Sequence, residues 1–158
     1  MNTYDLCEEL SNRLSSDDIL LVGSSCMAVR IFGTYHGKAP MYETNRAQGA
    51  MGASIPVAIA FALASGKRVV CVDGEGSFCQ NIQELEVVHR LNLNIQFIVL
   101  ENGGYASIHN SENKWFGRIS EGATFPDIEK VAYAFGVAVT VIHVPHDEVP
   151  PERDNANA

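Results

Sequence analysis

Short apolar runs alternate with amphipathic stretches along most of the chain. Leu6, Cys7, Leu10 and Leu14 fall on one helical face behind a candidate cap at Thr3, and Ser15-Ser16-Asp17-Asp18 ends that helix. Ile19 to Val22 has the length of a buried strand, and a short helix is predicted over about Met27 to Phe32. A loop to Pro40 and a short strand at Met41 to Thr44 come next. The segment from Pro56 to about Ala64 is almost wholly apolar, which predicts a helix buried on most sides, with Pro56 tolerated only near its start. Val69 to Val72 and Ile95 to Leu100 read as two further buried strands. Between them, Ile82, Leu85, Val88 and Leu91 share a face of a helix predicted over Asn81 to Leu91. Tyr105 to about Ser111 reads as a short helix, and Glu112 to Thr124 shows no period. Pro126 sits at the first turn of a helix with Val131, Ala132 and Phe135 inward and Gly136 as C-cap, and Val137 to Val144 is the last strand.

This alternation predicts an α/β fold: one domain over residues 1–144, three-layered and doubly wound, on a mostly parallel sheet. Residues 145–158, with three prolines and mixed charge, read as a disordered tail. In a parallel sheet the turns that follow the strands lie at one edge, where such folds bind ligands. Three of these turns carry chemistry. Gly23-Ser24-Ser25-Cys26 offers small residues for close backbone approach. Asp73-Gly74-Glu75-Gly76-Ser77 offers a carboxylate, and Glu101-Asn102-Gly103-Gly104 an amide oxygen. Glu75 and Asn102 lie 27 positions apart, room for one helix and one strand. Two hard oxygen ligands at neighbouring strand ends suit Mg²⁺.

Composition narrows the class. The chain has 158 residues, 46% hydrophobic and 19% charged, enough for one sizeable core. A net charge of −8 without a basic stripe argues against nucleic acid as a partner. No apolar run reaches the ~20 residues of a membrane span, and the polar start Met1-Asn2-Thr3-Tyr4-Asp5 is no signal peptide. The cysteines Cys7, Cys26, Cys71 and Cys79 show no CxxC spacing, which suits reduced thiols in a cytoplasmic protein better than a zinc site. The Gly74 turn is neither a dinucleotide fingerprint, because Cys79 stands where the third glycine would be, nor a Walker A loop.

The stretch from Val69 to Ile108 resembles the cofactor motif of thiamine diphosphate enzymes, Gly-Asp-Gly followed at a distance by Asn-Asn. The wording GEGSFCQNIQELEVVHRLNLNIQFIVLENGGYASI is similar to the acetolactate-synthase-like branch, and the resemblance runs roughly from Thr3 to Ile142. It departs from the motif at Glu75, which stands for the metal-binding Asp, and at Glu101, which stands for the first Asn. The resemblance implies a thiamine diphosphate and Mg²⁺ site. Glu75, Asn102 and the Gly104 carbonyl would be its metal ligands, and Ser24, Ser25, Cys26, Gly49, Met51, Gly74, Gly76, Ser77 and Tyr105 its cofactor contacts. The backbone at Gly49 and Met51 would hold the aminopyrimidine, with the Met51 side chain propping the cofactor into its bent form. His109 is the histidine placed nearest the pocket.

The same resemblance implies carboligase or decarboxylase chemistry on a small 2-oxo acid. The activating glutamate belongs to a separate pyrimidine-binding domain, which nothing in this sequence matches, so no catalytic residue is assigned here and the isolated chain is expected to be inactive. The family usually continues with a further helix and strand where this sequence ends. The pyrimidine-binding domain would come from a partner chain or the rest of a longer polypeptide, in a homo- or hetero-oligomer. Glu75 also leaves open a non-catalytic copy of the fold serving as a regulatory or scaffolding partner. A nucleotide- or flavin-binding domain fits the alternation but not the paired turns.

Overall fold

The computed structural model describes residues 2–44, 48, 50–118 and 124–146, with the backbone alone at 26 and 27. Five strands form one sheet: β1 (Asp18–Val22), β2 (Met41–Glu43), β3 (Arg68–Gly74), β4 (Ile95–Glu101) and β5 (Val139–His143). Their order is β2-β1-β3-β4-β5, and each neighbouring pair is parallel. That is a doubly wound order, with its switch point between β1 and β3. Alternation along the strands divides the core. Leu20, Val22, Val70, Val72, Ile98 and Leu100 face α1 (Thr3–Arg13) and α2 (Cys26–Phe32). Ile19, Leu21, Val69, Cys71, Phe97 and Val99 face α3 (Ser54–Ser65), α5 (Leu85–Arg90) and α7 (Ile128–Ala134). The expected three-layer α/β domain is what forms.

Several expected details differ. The cap of α1 is Asn2, not Thr3: Asn2 Oδ1 accepts from the Asp5 amide at 2.8 Å and Asp5 accepts from the Asn2 amide at 3.3 Å, a capping box that Thr3 cannot complete. Helix α3 is not buried on most sides. Ile55, Ala58, Ile59 and Ala62 pack on the sheet, while Ala60, Leu63 and Ala64 face outward, because one face of a helix is all a sheet can cover. The expected helix over Asn81 to Leu91 is broken. A short α4 (Glu75–Cys79) follows β3 directly, then a 3₁₀ turn at Ile82–Glu84, then α5. Asn81 has non-helical backbone (φ −131°, ψ 35°), and its side chain donates to the Gly52 carbonyl at 2.8 Å. Leu91 lies past the end of α5 and is exposed. Helix α6 (Ala106–Phe116) starts one residue after Tyr105 and runs past Ser111, so it takes in Trp115 and Phe116 before Gly117 ends it at φ +63°. Of the expected tail, Pro145 and His146 are described and His146 packs on the protein; residues 147–158 lie outside the described set. Cys7 and Cys71 are buried free thiols, and Cys79 is a half-buried one.

Candidate functional site

Strand register builds the site. Val22 pairs with Val72, and Gly74 pairs with Leu100. The residues that follow, Ser24 after β1, Glu75 after β3 and Asn102 after β4, therefore leave the same sheet edge side by side. Around them lies a cavity of about 200 Å³, open on one side, beside the β1–β3 switch point. Ser24, Ser25, Met51, Gly74, Glu75, Gly76, Ser77, Asn102, Gly104 and Tyr105 all line it. Of the expected site residues, Gly49 lies outside the described set, and only the backbone of Cys26, at the start of α2, is described.

The floor is held by hydroxyls. Ser77 Oγ lies 3.1 Å from Ser24 Oγ and accepts from the Gly52 amide at 3.0 Å. One buried hydroxyl thus ties together the turns after β1 and β3 and the turn before α3. Met51, beside that turn, is 37% exposed, so it forms cavity wall rather than core. Tyr105 lies against Gly76, where an added Cβ would sit 2.3 Å from its ring, and packs edge-on against Phe125 at 5.4 Å. Only glycine allows that approach.

Glu75 is the polar centre. It is 2% exposed and accepts a hydrogen bond from the Gly104 amide. Burial pushes its carboxyl above the usual carboxylate range, the Gly104 amide opposes that, and Glu101 adds to it. The neighbouring Asp73 is also buried and held high by burial, against the Ser54 and Ser77 hydroxyls and the Gly74 and Ser25 amides. His109 is buried, with its Cε1 beside Gly104, close to the cavity as expected.

Three contributors escaped the sequence reading. Asp73 reads from the sequence only as part of a turn, although an acid ending an apolar run is a usable signal. Asn81 holds the Gly52 turn, and His146 Nδ1 lies 2.7 Å from the Asn102 carbonyl oxygen.

Residues 22–156 match the family described as thiamine pyrophosphate enzyme, C-terminal TPP binding domain. The chain belongs to this family. Its relatives include the acetolactate synthase large subunits of Pyropia yezoensis, 31% identical over 67% of this chain, and Porphyra purpurea, 26% identical over 87%. Acetolactate synthase isozyme 2 large subunit of Escherichia coli is 30% identical over 65%. The chain spans 19%, 26% and 19% of the lengths of these relatives. Two solved structures share the fold over 92% of this chain. One is a thiamine diphosphate-dependent 4-hydroxybenzoylformate decarboxylase from Rhodococcus jostii (TM-score 0.76, 21% identity). The other is a putative thiamin diphosphate-dependent enzyme from Mycobacterium smegmatis (TM-score 0.68, 24% identity). They cover the chain with about a third of their own length, 32% and 31% respectively. This thiamine pyrophosphate-binding domain is therefore similar to one part of much longer enzymes. Among the described residues no helix is long and apolar enough to cross a membrane.

Proposed function

We propose that the domain holds the diphosphate end of thiamine diphosphate through Mg²⁺, as part of an acetolactate-synthase-like carboligase or decarboxylase acting on a 2-oxo acid. The observation that carries this reading is the convergence of Glu75, Asn102 and Gly104 on one cavity that also presents Ser24, Ser25 and Ser77. Carboxylate, amide and carbonyl oxygens are the donors Mg²⁺ takes, and it commonly completes its shell with phosphate and water. The buried Glu75 carboxylate is costly without a cation, so the donor set fits the group. Glu75, Asn102 and the Gly104 carbonyl would hold the metal. The Ser24 and Ser77 hydroxyls and the Gly76 backbone would meet phosphate oxygens, and Met51 would support the ring end.

Bound thiamine diphosphate supplies the carbanion-stabilising chemistry. This chain's residues bind and orient. The Ser77 hydrogen bonds keep three turns in fixed relation, and Tyr105 closes the wall over Gly76. The cavity of about 200 Å³ is smaller than the ~300–1,000 Å³ of complete ligand pockets, which agrees with half a cage. The pyrimidine-binding domain would supply the rest, in trans or within a longer polypeptide. The outward apolar side of α3, with Leu63 58% exposed and Tyr42 stacked on Phe61 at 4.7 Å, suits contact with that domain. Turnover is expected only once the two are joined.

A second reading is favoured by one observation: the Glu75 carboxylate already accepts the Gly104 amide, as it would in a copy of the fold that no longer takes metal. Calorimetric titration of thiamine diphosphate, with and without Mg²⁺, on the wild-type chain and Asn102→Ala separates the two. Metal-dependent binding that the substitution abolishes supports the metal site. Binding restored only by Glu75→Asp supports the degenerate copy.

A further inference from the structure

The turn after β4 contains two consecutive glycines in left-handed backbone, Gly103 at φ +80° and Gly104 at φ +135°. Glycine leaves a turn more conformational freedom than any other residue. Mg²⁺ demands near-ideal octahedral geometry, so ligands on so free a turn must be held from outside. Three attachments do this. On one side, Glu75 accepts the Gly104 amide. On the other, the end of β5 runs along the turn: the Val144 amide donates to the Glu101 carbonyl at 2.9 Å, and His143 Nδ1 meets Glu101 Oε2 at 2.5 Å. Beyond β5, His146 Nδ1 lies 2.7 Å from the Asn102 carbonyl oxygen. A carbonyl only accepts, so Nδ1 carries the proton. The His146 ring lies tilted against His109, centroids 5.4 Å apart and planes 30° apart, and His109 in turn lies beside Gly104.

We propose that His146, backed by His109, is a positioning residue for the Asn102–Gly104 turn, fixing the carbonyl of Asn102 so that its side-chain oxygen and Gly104 stand ready for the metal. The inference rests on the metal site proposed above. It assigns a role to a position 44 residues from Asn102 that does not itself line the cavity. Partners that orient a metal ligand are commonly worth 10–100-fold in affinity.

The test is Mg²⁺ titration by calorimetry in the presence of thiamine diphosphate, on wild type, His146→Ala and His146→Asn, alongside thermal melts without metal. Asn presents an N–H at nearly the place of Nδ1. The expected result is Mg²⁺ affinity at least tenfold weaker in His146→Ala, recovered in His146→Asn, with all three melting together. Equal affinity in wild type and His146→Ala overturns the inference and leaves the metal site standing. Weakening that His146→Asn fails to recover, or that follows a fall in melting temperature, also overturns it. Absence of Mg²⁺-dependent binding in the wild type overturns the metal site itself, and this inference with it.

Discussion

Replacing Glu75 by Gln separates what the side chain does for the fold from what it does for a ligand. The two are of similar size, so the packing of a 2%-exposed side chain is kept. Gln still offers an oxygen to the Gly104 amide, but a neutral one. A hydrogen bond to a charged group contributes about 1.5–3 kcal/mol and a neutral one about 0.5–1.5, so roughly 1 kcal/mol is lost there. Against this, the burial cost of the charge disappears. The carboxyl is held above its ordinary value, which means that burial and Glu101 outweigh the turn's amides for the charged form. The net effect in the metal-free chain is a gain at neutral pH, read as a higher melting temperature for Glu75→Gln than for wild type. The sign follows from linkage. A carboxyl with a raised folded pKa supports the fold fully below its unfolded pKa and loses that support as pH rises through the folded one. Wild type and variant should therefore converge near pH 4 and separate above it. Mg²⁺-dependent binding of thiamine diphosphate should fall by more than the 10–100-fold typical of an outer-shell partner. Thermal melts across pH 4–8 and calorimetry at pH 7 check both halves. A variant that melts below wild type at pH 7 while keeping its Mg²⁺-dependent affinity would refute the reasoning.

Other substitutions test the frame around the site. Asp18 accepts from Arg68 Nε at 2.8 Å, which holds its carboxyl down at about 2. Asp18→Asn should cost about 1 kcal/mol at pH 7, discounted because Arg68 is 37% exposed, and the difference from wild type should vanish as pH falls from about 4 through about 2 in pH-resolved denaturation. Phe97, fully buried and edge-on to Phe78 at 5.5 Å, should cost about 3–5 kcal/mol as Phe97→Ala in urea unfolding. Ser77→Ala leaves the buried Gly52 amide without its acceptor, which should cost about 1–3 kcal/mol in melts and weaken thiamine diphosphate binding in calorimetry.

The sheet and its ligand edge were legible because each depends on local pattern. Apolar runs of strand length ending in small residues, joined by acidic ones after β3 and β4, mark both the strand and the turn after it, and the 27 positions between Glu75 and Asn102 leave room for the helical segment and the strand that fill them. What escaped was tertiary. The break at Asn81 cannot be seen in a helical period, because it exists to place an amide on Gly52. The outward side of α3 reads as buried from its own composition, since apolar residues on two faces look the same whether sheet or another domain covers the second. His146 sits among prolines and charges that read as tail, and only the fold carries it to Asn102.

Electrostatics explains why such a site would be built on this edge. Asp73 and Glu75 are both buried at the end of β3, at a cost that the neighbouring backbone amides only partly offset, and Glu101 at the end of β4 adds to the cost at Glu75. A purely structural turn has no need of that arrangement, because neutral side chains would satisfy the same amides with more stability. A divalent cation at the proposed site would reverse the account: it would stabilise the buried Glu75 carboxylate and leave an anionic diphosphate a positive partner in the cavity. The longer reach of Glu75 then has a structural counterpart, since its carboxylate spans to the Gly104 amide and fixes one side of the glycine turn while His146 fixes the other. In the proposed site, Glu75 in the place of the family's Asp would remain tied to the glycine turn through the Gly104 amide. The burial cost of the charged Glu75 falls on the metal-free chain, so the Gln variant should melt higher, and with a ligand of the proposed site lost it should bind worse.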